Sequence, residues 1–158
     1  PVIRRGFGGS KIEDLYWFLQ RIVYPHQPSA LYFYIGSNNV TGQRSDMPED
    51  SVLLYTKAII QLIRNKYPKI PIFWNGINPT PLRFSALDRI RSLNEKWRIA
   101  LASLPQVYYV DTFAAFLDDQ GNPRSELYAA DRLHLSAQGY TLWAGMIRKA
   151  LDQHIKKE

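Results

Sequence analysis

Apolar positions along the chain follow two alternating periods. Four short runs are β-like: the apolar-basic stretch 1–7, and residues 30–35 (ALYFYI), 70–74 (IPIFW) and 107–110 (VYYV). The middle two carry no charge, as strands buried on both faces of a sheet do. Between the runs the period lengthens to that of a helix. Ile12, Leu15, Leu19, Ile22 and Val23 predict a first helix. It should start at Ser10, which makes an S-x-x-E capping box with Glu13, and end near Pro25. Val52, Tyr55, Ile59, Ile60 and Ile63 predict a second helix over residues 49–65. Leu87, Ile90, Leu93, Trp97 and Leu101 predict a third over 85–104. Tyr140, Trp143, Ile147 and Leu151 predict a last helix with Ser136 as its N-cap. Aromatic stripes at this spacing read as core.

Strands alternating with helices predict βαβ units, and so an α/β fold with a largely parallel sheet covered on both faces. Two long connections, residues 37–48 and 111–135, leave the C-terminal ends of predicted strands. Open parallel sheets bind ligands at that edge. Residues 74–78 (WNGIN) also follow a strand end, and their Trp and Asn side chains are expected to line the pocket.

Composition narrows the class. A chain of 158 residues with 46% hydrophobic content is long enough for one domain with its own core. The longest apolar runs are strand-sized, whereas a membrane span needs about 20 residues. With no Cys there are no disulfides or thiolate metal sites. Three scattered His make no ligand spacing, so no metal or other cofactor is expected. The 20 Lys+Arg exceed the 14 Asp+Glu by 6. Those positives are dispersed, apart from a Lys156-Lys157 tail, which predicts a solvated basic face rather than a nucleic-acid site. The chain opens on Pro1 rather than Met, so a preceding segment is expected. A signal peptide in that segment would make the protein periplasmic or secreted, and its absence cytoplasmic.

Three short motifs carry candidate chemistry. Gly6-Phe7-Gly8-Gly9-Ser10 joins a strand to a helix, but it lacks a P-loop Lys and has Lys11 where a dinucleotide fingerprint needs Gly. A tight turn followed by an N-cap is its plainer reading. Gly36-Ser37-Asn38-Asn39 sets two amides just past a buried strand, suited to donating into a crevice or to closing their own turn. Asp131-Arg132-Leu133-His134 precedes the last helix. His26 lies between Pro25 and Pro28, and His154 sits on a charged tail. Only His134 has a carboxylate near it in a fold-determined loop, which makes it the general-base candidate.

Taken in order, GFGGS, GSNN and DRLHLSAQGY resemble the second, third and fifth sequence blocks of the SGNH/GDSL hydrolase family. The string RGFGGSKIEDLYWFLQRIVYPHQPSALYFYIGSNNV is similar to its bacterial branch related to platelet-activating-factor acetylhydrolase subunits. The resemblance runs from Pro1 to the last helix. It implies a three-layer α/β/α sandwich around a five-stranded, flavodoxin-like parallel sheet. It also implies a serine-type esterase that hydrolyses small or medium acyl esters through an acyl-enzyme, without a cofactor. By the same resemblance, the Gly9 N–H and the Asn38 amide join the serine's own N–H as an oxyanion hole. His134 is the base, and Asp131 orients it.

Two departures stand out. Arg4-Arg5-Gly6 occupies the place where an Asn before the Arg is expected. No G-D-S or G-S-S ends an apolar strand anywhere in the sequence, and a βαβ unit carrying one takes roughly 30 residues. Residues 1–158 are therefore read as a single domain that is N-terminally incomplete, without its first strand and with the nucleophile upstream. Ser10 and Ser136 as N-caps, and Ser37 beside Asn38, are poorer substitutes. This 158-residue form alone is expected to turn over little substrate. The alternative function is a ligand-binding domain of the same fold that has lost its serine. A nucleotide-binding module would leave Asp131 and His134 without a role.

Overall fold

The computed structural model describes residues 2–155. Its sheet has three parallel strands in the order β1-β2-β3: β1 Leu31–Phe33, β2 Ile72–Asn75 and β3 Val107–Val110. Leu31 pairs with Ile72 and Ile72 with Val107, while Phe33 pairs with Trp74. All three strands therefore end at one edge. Four helices cover the sheet: α1 Ile12–Ile22, α2 Glu49–Lys66, α3 Leu87–Leu101 and α4 Ala137–His154.

The period of two along each strand divides the covering helices into two layers. Phe33, Ile72, Trp74 and Val107 join one core with Ile12, Leu15 and Leu19 of α1, Val52, Ile59 and Ile63 of α2, and Leu93, Trp97 and Leu101 of α3. On the opposite face, Tyr32, Phe73 and Tyr108 share a register. There Tyr34 packs edge-on to Trp143 and Tyr108 stacks on His154, both of α4. The expected α/β/α layering follows. β2 is the middle strand, and its IFWN side chains are all buried.

Trp97 is the largest contribution of α3 to this core. It is fully buried, meets Trp74 edge-on at 5.8 Å, and donates its indole N–H to Thr56 Oγ1 at 2.9 Å. Thr56 in turn donates to the carbonyl of Val52, so the polar atoms here are paired within α2 and α3.

Three expectations change. The β-like stretch at residues 1–7 forms no strand over residues 2–7, and Pro1 lies outside the described residues. Val2 is 91% exposed. β1 is an edge strand with only β2 beside it among the described residues, and a β-prone run without a neighbour has nowhere to place its backbone hydrogen bonds. Second, α1 begins after Lys11 rather than at Ser10. The Lys11 N–H donates to Asp14 Oδ2 at 2.8 Å, and Glu13 turns instead to Asn39, so a tertiary partner outcompetes the local capping box. Third, the helix predicted over 85–104 divides into a 3-10 segment, Pro81–Ala86, followed by α3. The N-cap of α4 is Ser136, as expected; its Oγ accepts from the Gly139 N–H at 3.2 Å.

Candidate functional site

Three connections meet at the C-terminal edge of the sheet. The first leaves β1 through Gly36, which adopts φ 100°. A Cβ there would lie 3.1 Å from Trp97 Cη2, so both the backbone angle and the close approach of the indole call for glycine. A short 3-10 turn, Ser37–Asn39, follows.

The two asparagines of that turn face different tasks. Asn39 is 2% exposed; its Oδ1 accepts the Ile12 N–H at 2.9 Å and its Nδ2 donates to Glu13 Oε2 at 2.7 Å. It is thus a tertiary cap for α1, satisfying a helix-terminal N–H that has no partner within the helix. Asn38 is half-buried, and its Nδ2 donates to the carbonyl of Ser10 at 3.0 Å. That carbonyl directly follows Gly9, which is exposed with φ 72°. The GSNN turn is thereby tied to the loop that carries Gly9.

The second connection carries Asp131 and His134. It is anchored by Tyr128, which is buried and donates its hydroxyl to the carbonyl of Pro79. The Ala129 N–H donates to the His134 carbonyl at 2.7 Å, and the Arg132 N–H to the Ala129 carbonyl at 2.9 Å. Arg132 takes the left-handed region at φ 61°, which closes the turn. Asp131 Oδ1 accepts the backbone N–H groups of Leu133 at 3.0 Å and His134 at 2.9 Å, while Oδ2 lies 2.6 Å from His134 Nδ1. An ionised carboxylate only accepts, so the proton of this pair sits on Nδ1. Nε2 is the ring nitrogen left outside that pair, on a side chain that is 71% exposed. The hydrogen bond from His134, then those from the two backbone N–H groups, hold Asp131 down from 3.8 to about 2.

The sign of that shift sets a pH window. A lowered carboxylate pKa favours the folded turn above the unfolded value of 3.8, and the benefit is lost as pH falls toward about 2. A carboxyl carbon NMR titration should place the Asp131 midpoint near 2, rising toward 3.8 in His134→Ala. An unchanged midpoint in that variant would refute the pairing as its main cause.

The third connection is Pro81–Ala86, which touches both of the others. The Leu82 N–H donates to the Arg132 carbonyl at 3.0 Å. Arg83 donates through Nη1 to the Ser37 carbonyl at 2.6 Å and through Nη2 to Asn38 Oδ1 at 2.7 Å. Gly9 and Asn38 are thereby linked to Asp131 and His134 through a segment that no sequence motif singled out. Its advance signal was slight: a Thr80-Pro81 helix start a few residues beyond a strand.

Other candidates fall elsewhere. The WNGIN segment does not line the site. Trp74, Asn75, Ile77 and Asn78 are at most 3% exposed; the Asn75 and Asn78 side chains and the Ile77 N–H are bonded internally, whereas the Trp74 indole N–H has no partner among the described residues. Asn75 Nδ2 donates to Thr112 Oγ1 at 2.8 Å, and Asn94 Oδ1 accepts the Ile77 N–H at 2.8 Å. The segment supports the edge from below, because an unpaired amide in a sheet core is costly and these found partners. Ser136 Oγ is engaged at the start of α4, where it also donates to the Glu126 carbonyl at 2.8 Å. His26 Nε2 lies 3.1 Å from Arg5 Nε, away from this edge.

Residues 1–142 match the model of the GDSL-like Lipase/Acylhydrolase family. The chain belongs to that family. Among curated relatives, platelet-activating factor acetylhydrolase IB subunit alpha1 of Bos taurus is 29% identical over 143 residues, covering 86% of this chain and 57% of the relative. The Homo sapiens protein matches over the same extent. The chain thus spans 57% of the length of these curated relatives. A Streptococcus pneumonia structure described as a platelet activating factor superposes with a TM-score of 0.85 at 25% identity, covering 94% of this chain and 72% of that one. A GDSL-like lipase from Bacteroides thetaiotaomicron shares the fold, with a TM-score of 0.81 at 18% identity, covering 96% of this chain and 75% of that one. The GDSL-like fold accounts for the parallel sheet and the helices that cover it.

Proposed function

We propose that the protein is a serine-type esterase of small or medium acyl esters, with its nucleophilic serine on a segment preceding Pro1. The observation that carries this reading is the Asp131–His134 pair, with Nδ1 committed to the carboxylate at 2.6 Å and Nε2 open. In the reaction, Nε2 takes the serine proton as Oγ attacks the ester carbonyl. Negative charge collects on the carbonyl oxygen, where the Gly9 N–H and the Asn38 amide receive it. Loss of one such donor typically raises the barrier by about 3 to 4 kcal/mol. Collapse returns the proton from His134 to the leaving alcohol, and a water molecule activated by the same nitrogen resolves the acyl-enzyme. Asp131 stays ionised throughout, offsetting the imidazolium charge.

Two facts support a serine from outside these residues. The chain spans 57% of its curated relatives, and among the described residues β1 has a neighbour on one side only, β2. The relatives' name, an acetylhydrolase, makes acetyl the first acyl group to try. Treating the full-length protein with a phosphonofluoridate and mapping the adduct by mass spectrometry tests the assignment. The label should fall on a single serine ahead of Pro1. An adduct on Ser10, Ser37 or Ser136, or none at all, would sink it.

A further inference from the structure

Thr80 and Pro81 open the 3-10 segment, and the Arg83 N–H donates to the Thr80 carbonyl at 3.1 Å. Arg83 then leaves the helical region, with φ −108° and ψ 32°. That break sends its guanidinium back across the end of β1, onto the Ser37 carbonyl at 2.6 Å and Asn38 Oδ1 at 2.7 Å. Two neighbouring acceptors on one turn are thus held by one planar fork.

A carboxamide has two faces of similar shape, and rotating it by half a turn exchanges its donors for its acceptor. A guanidinium has donors only, so it tolerates just one of the two orientations. With Oδ1 on Arg83, the Asn38 Nδ2 must point the other way, toward the loop of Gly9. One of its two N–H bonds goes to the Ser10 carbonyl at 3.0 Å. The second is the one available to a developing oxyanion. A cationic donor on the amide oxygen also withdraws electron density from the amide nitrogen, which strengthens its N–H groups as donors.

We propose that Arg83 is the positioning residue of the oxyanion site, fixing the Asn38 carboxamide in the orientation that turns its N–H groups toward Gly9. The proposal rests on the esterase reading above. Arg83 touches no reacting atom in it and acts through Asn38. The same segment ties this amide to the base, because the Leu82 N–H is bonded to the Arg132 carbonyl inside the Asp131–His134 turn.

The test uses the full-length protein and p-nitrophenyl acetate. Asn38→Ala should lower kcat about 10²- to 10³-fold, the usual loss for one oxyanion donor. Arg83→Met should lower kcat about 10- to 100-fold with KM changed less than about threefold, since the amide remains but is no longer fixed. Arg83→Lys should recover part of the loss. In an Asn38→Ala background, Arg83→Met should cost less than about threefold more, because two residues acting through one interaction do not multiply. An unchanged kcat in Arg83→Met, or a loss that multiplies fully with Asn38→Ala, overturns the proposal. If the parent protein hydrolyses no ester, the esterase reading fails separately, and Arg83 is read from the ¹⁵N-resolved side-chain amide of Asn38. Its hydrogen exchange should quicken about tenfold in Arg83→Met, as expected when a fixed group is released to local opening. An unchanged rate overturns the proposal there too.

Discussion

Replacing His134 with Ala in the full-length protein should lower kcat for p-nitrophenyl acetate about 10⁴-fold, the upper end of what one positioned acid–base group contributes. That ratio corresponds to about 5.5 kcal/mol of barrier. The expectation comes from a single imidazole having to act twice, first as base toward the serine and then as acid toward the leaving alcohol. Nothing else on the turn can substitute. Asp131 is held to about 2 and is a poor base at neutral pH, and the His26 ring lies against Arg5. KM should move little, since the imidazole contributes few contacts to the ground state. Retention of more than a tenth of the parent kcat would rule out His134 as the base. The variant should stay folded, because the side chain is 71% exposed and its removal opens no cavity.

Trp97→Ala should cost about 3 to 5 kcal/mol of stability, the range for truncating a fully buried aromatic. In urea the midpoint should fall with the slope unchanged, as when native packing alone is lost. The cost is mainly an unfilled void. Thr56 still donates to the Val52 carbonyl at 3.0 Å after the indole is gone, so no buried hydroxyl is left wanting a partner. The damage should reach the site as well as the core, since Trp97 Cη2 is what the Gly36 turn rests on. A loss under 1 kcal/mol would mean that α3 closes over the gap, and that the tight packing at Gly36 is not set by the indole.

Much of the framework was legible because its signals are local. The run at 107–110 coincides with β3, and the pattern over 49–65 falls one residue short of α2, Glu49–Lys66. Ser136 caps α4 because a hydroxyl next to a helix start has few competing partners. Ser10 failed by the same rule, since Asn39 arrives from 27 residues away to take the Ile12 N–H. Sequence alone gives no means to anticipate that competition. Residues 2–7 failed for a related reason. A β-prone pattern states that a run suits a sheet, not which strand will lie beside it.

The site divides along the same line. Asp131 and His134 are three residues apart, and their contact is a property of one turn. Asn38 and Asn39 are adjacent and chemically identical, yet Asn39 caps a helix while Asn38 bridges the Ser10 carbonyl and the Arg83 guanidinium. Only the positions of Ile12, Ser10 and Arg83 distinguish them. Arg83 and Asn38 are 45 residues apart, and an arginine after a proline turn is ordinary surface chemistry until the fold brings it to an amide oxygen.

The side of β1 with no strand beside it among the described residues also bears on how the chain behaves in solution. Its strand lies within ALYFYI, six residues with no charge and no proline, beside a row of backbone groups that β2 does not use. Protected edges in soluble proteins commonly carry lysine, proline or a bulge, and this one has none of them. A sequence written for the interior of a sheet becomes adhesive when it is left at the rim. A strand or partner laid along Leu31–Phe33 would therefore guard against self-association as well as extend the sheet.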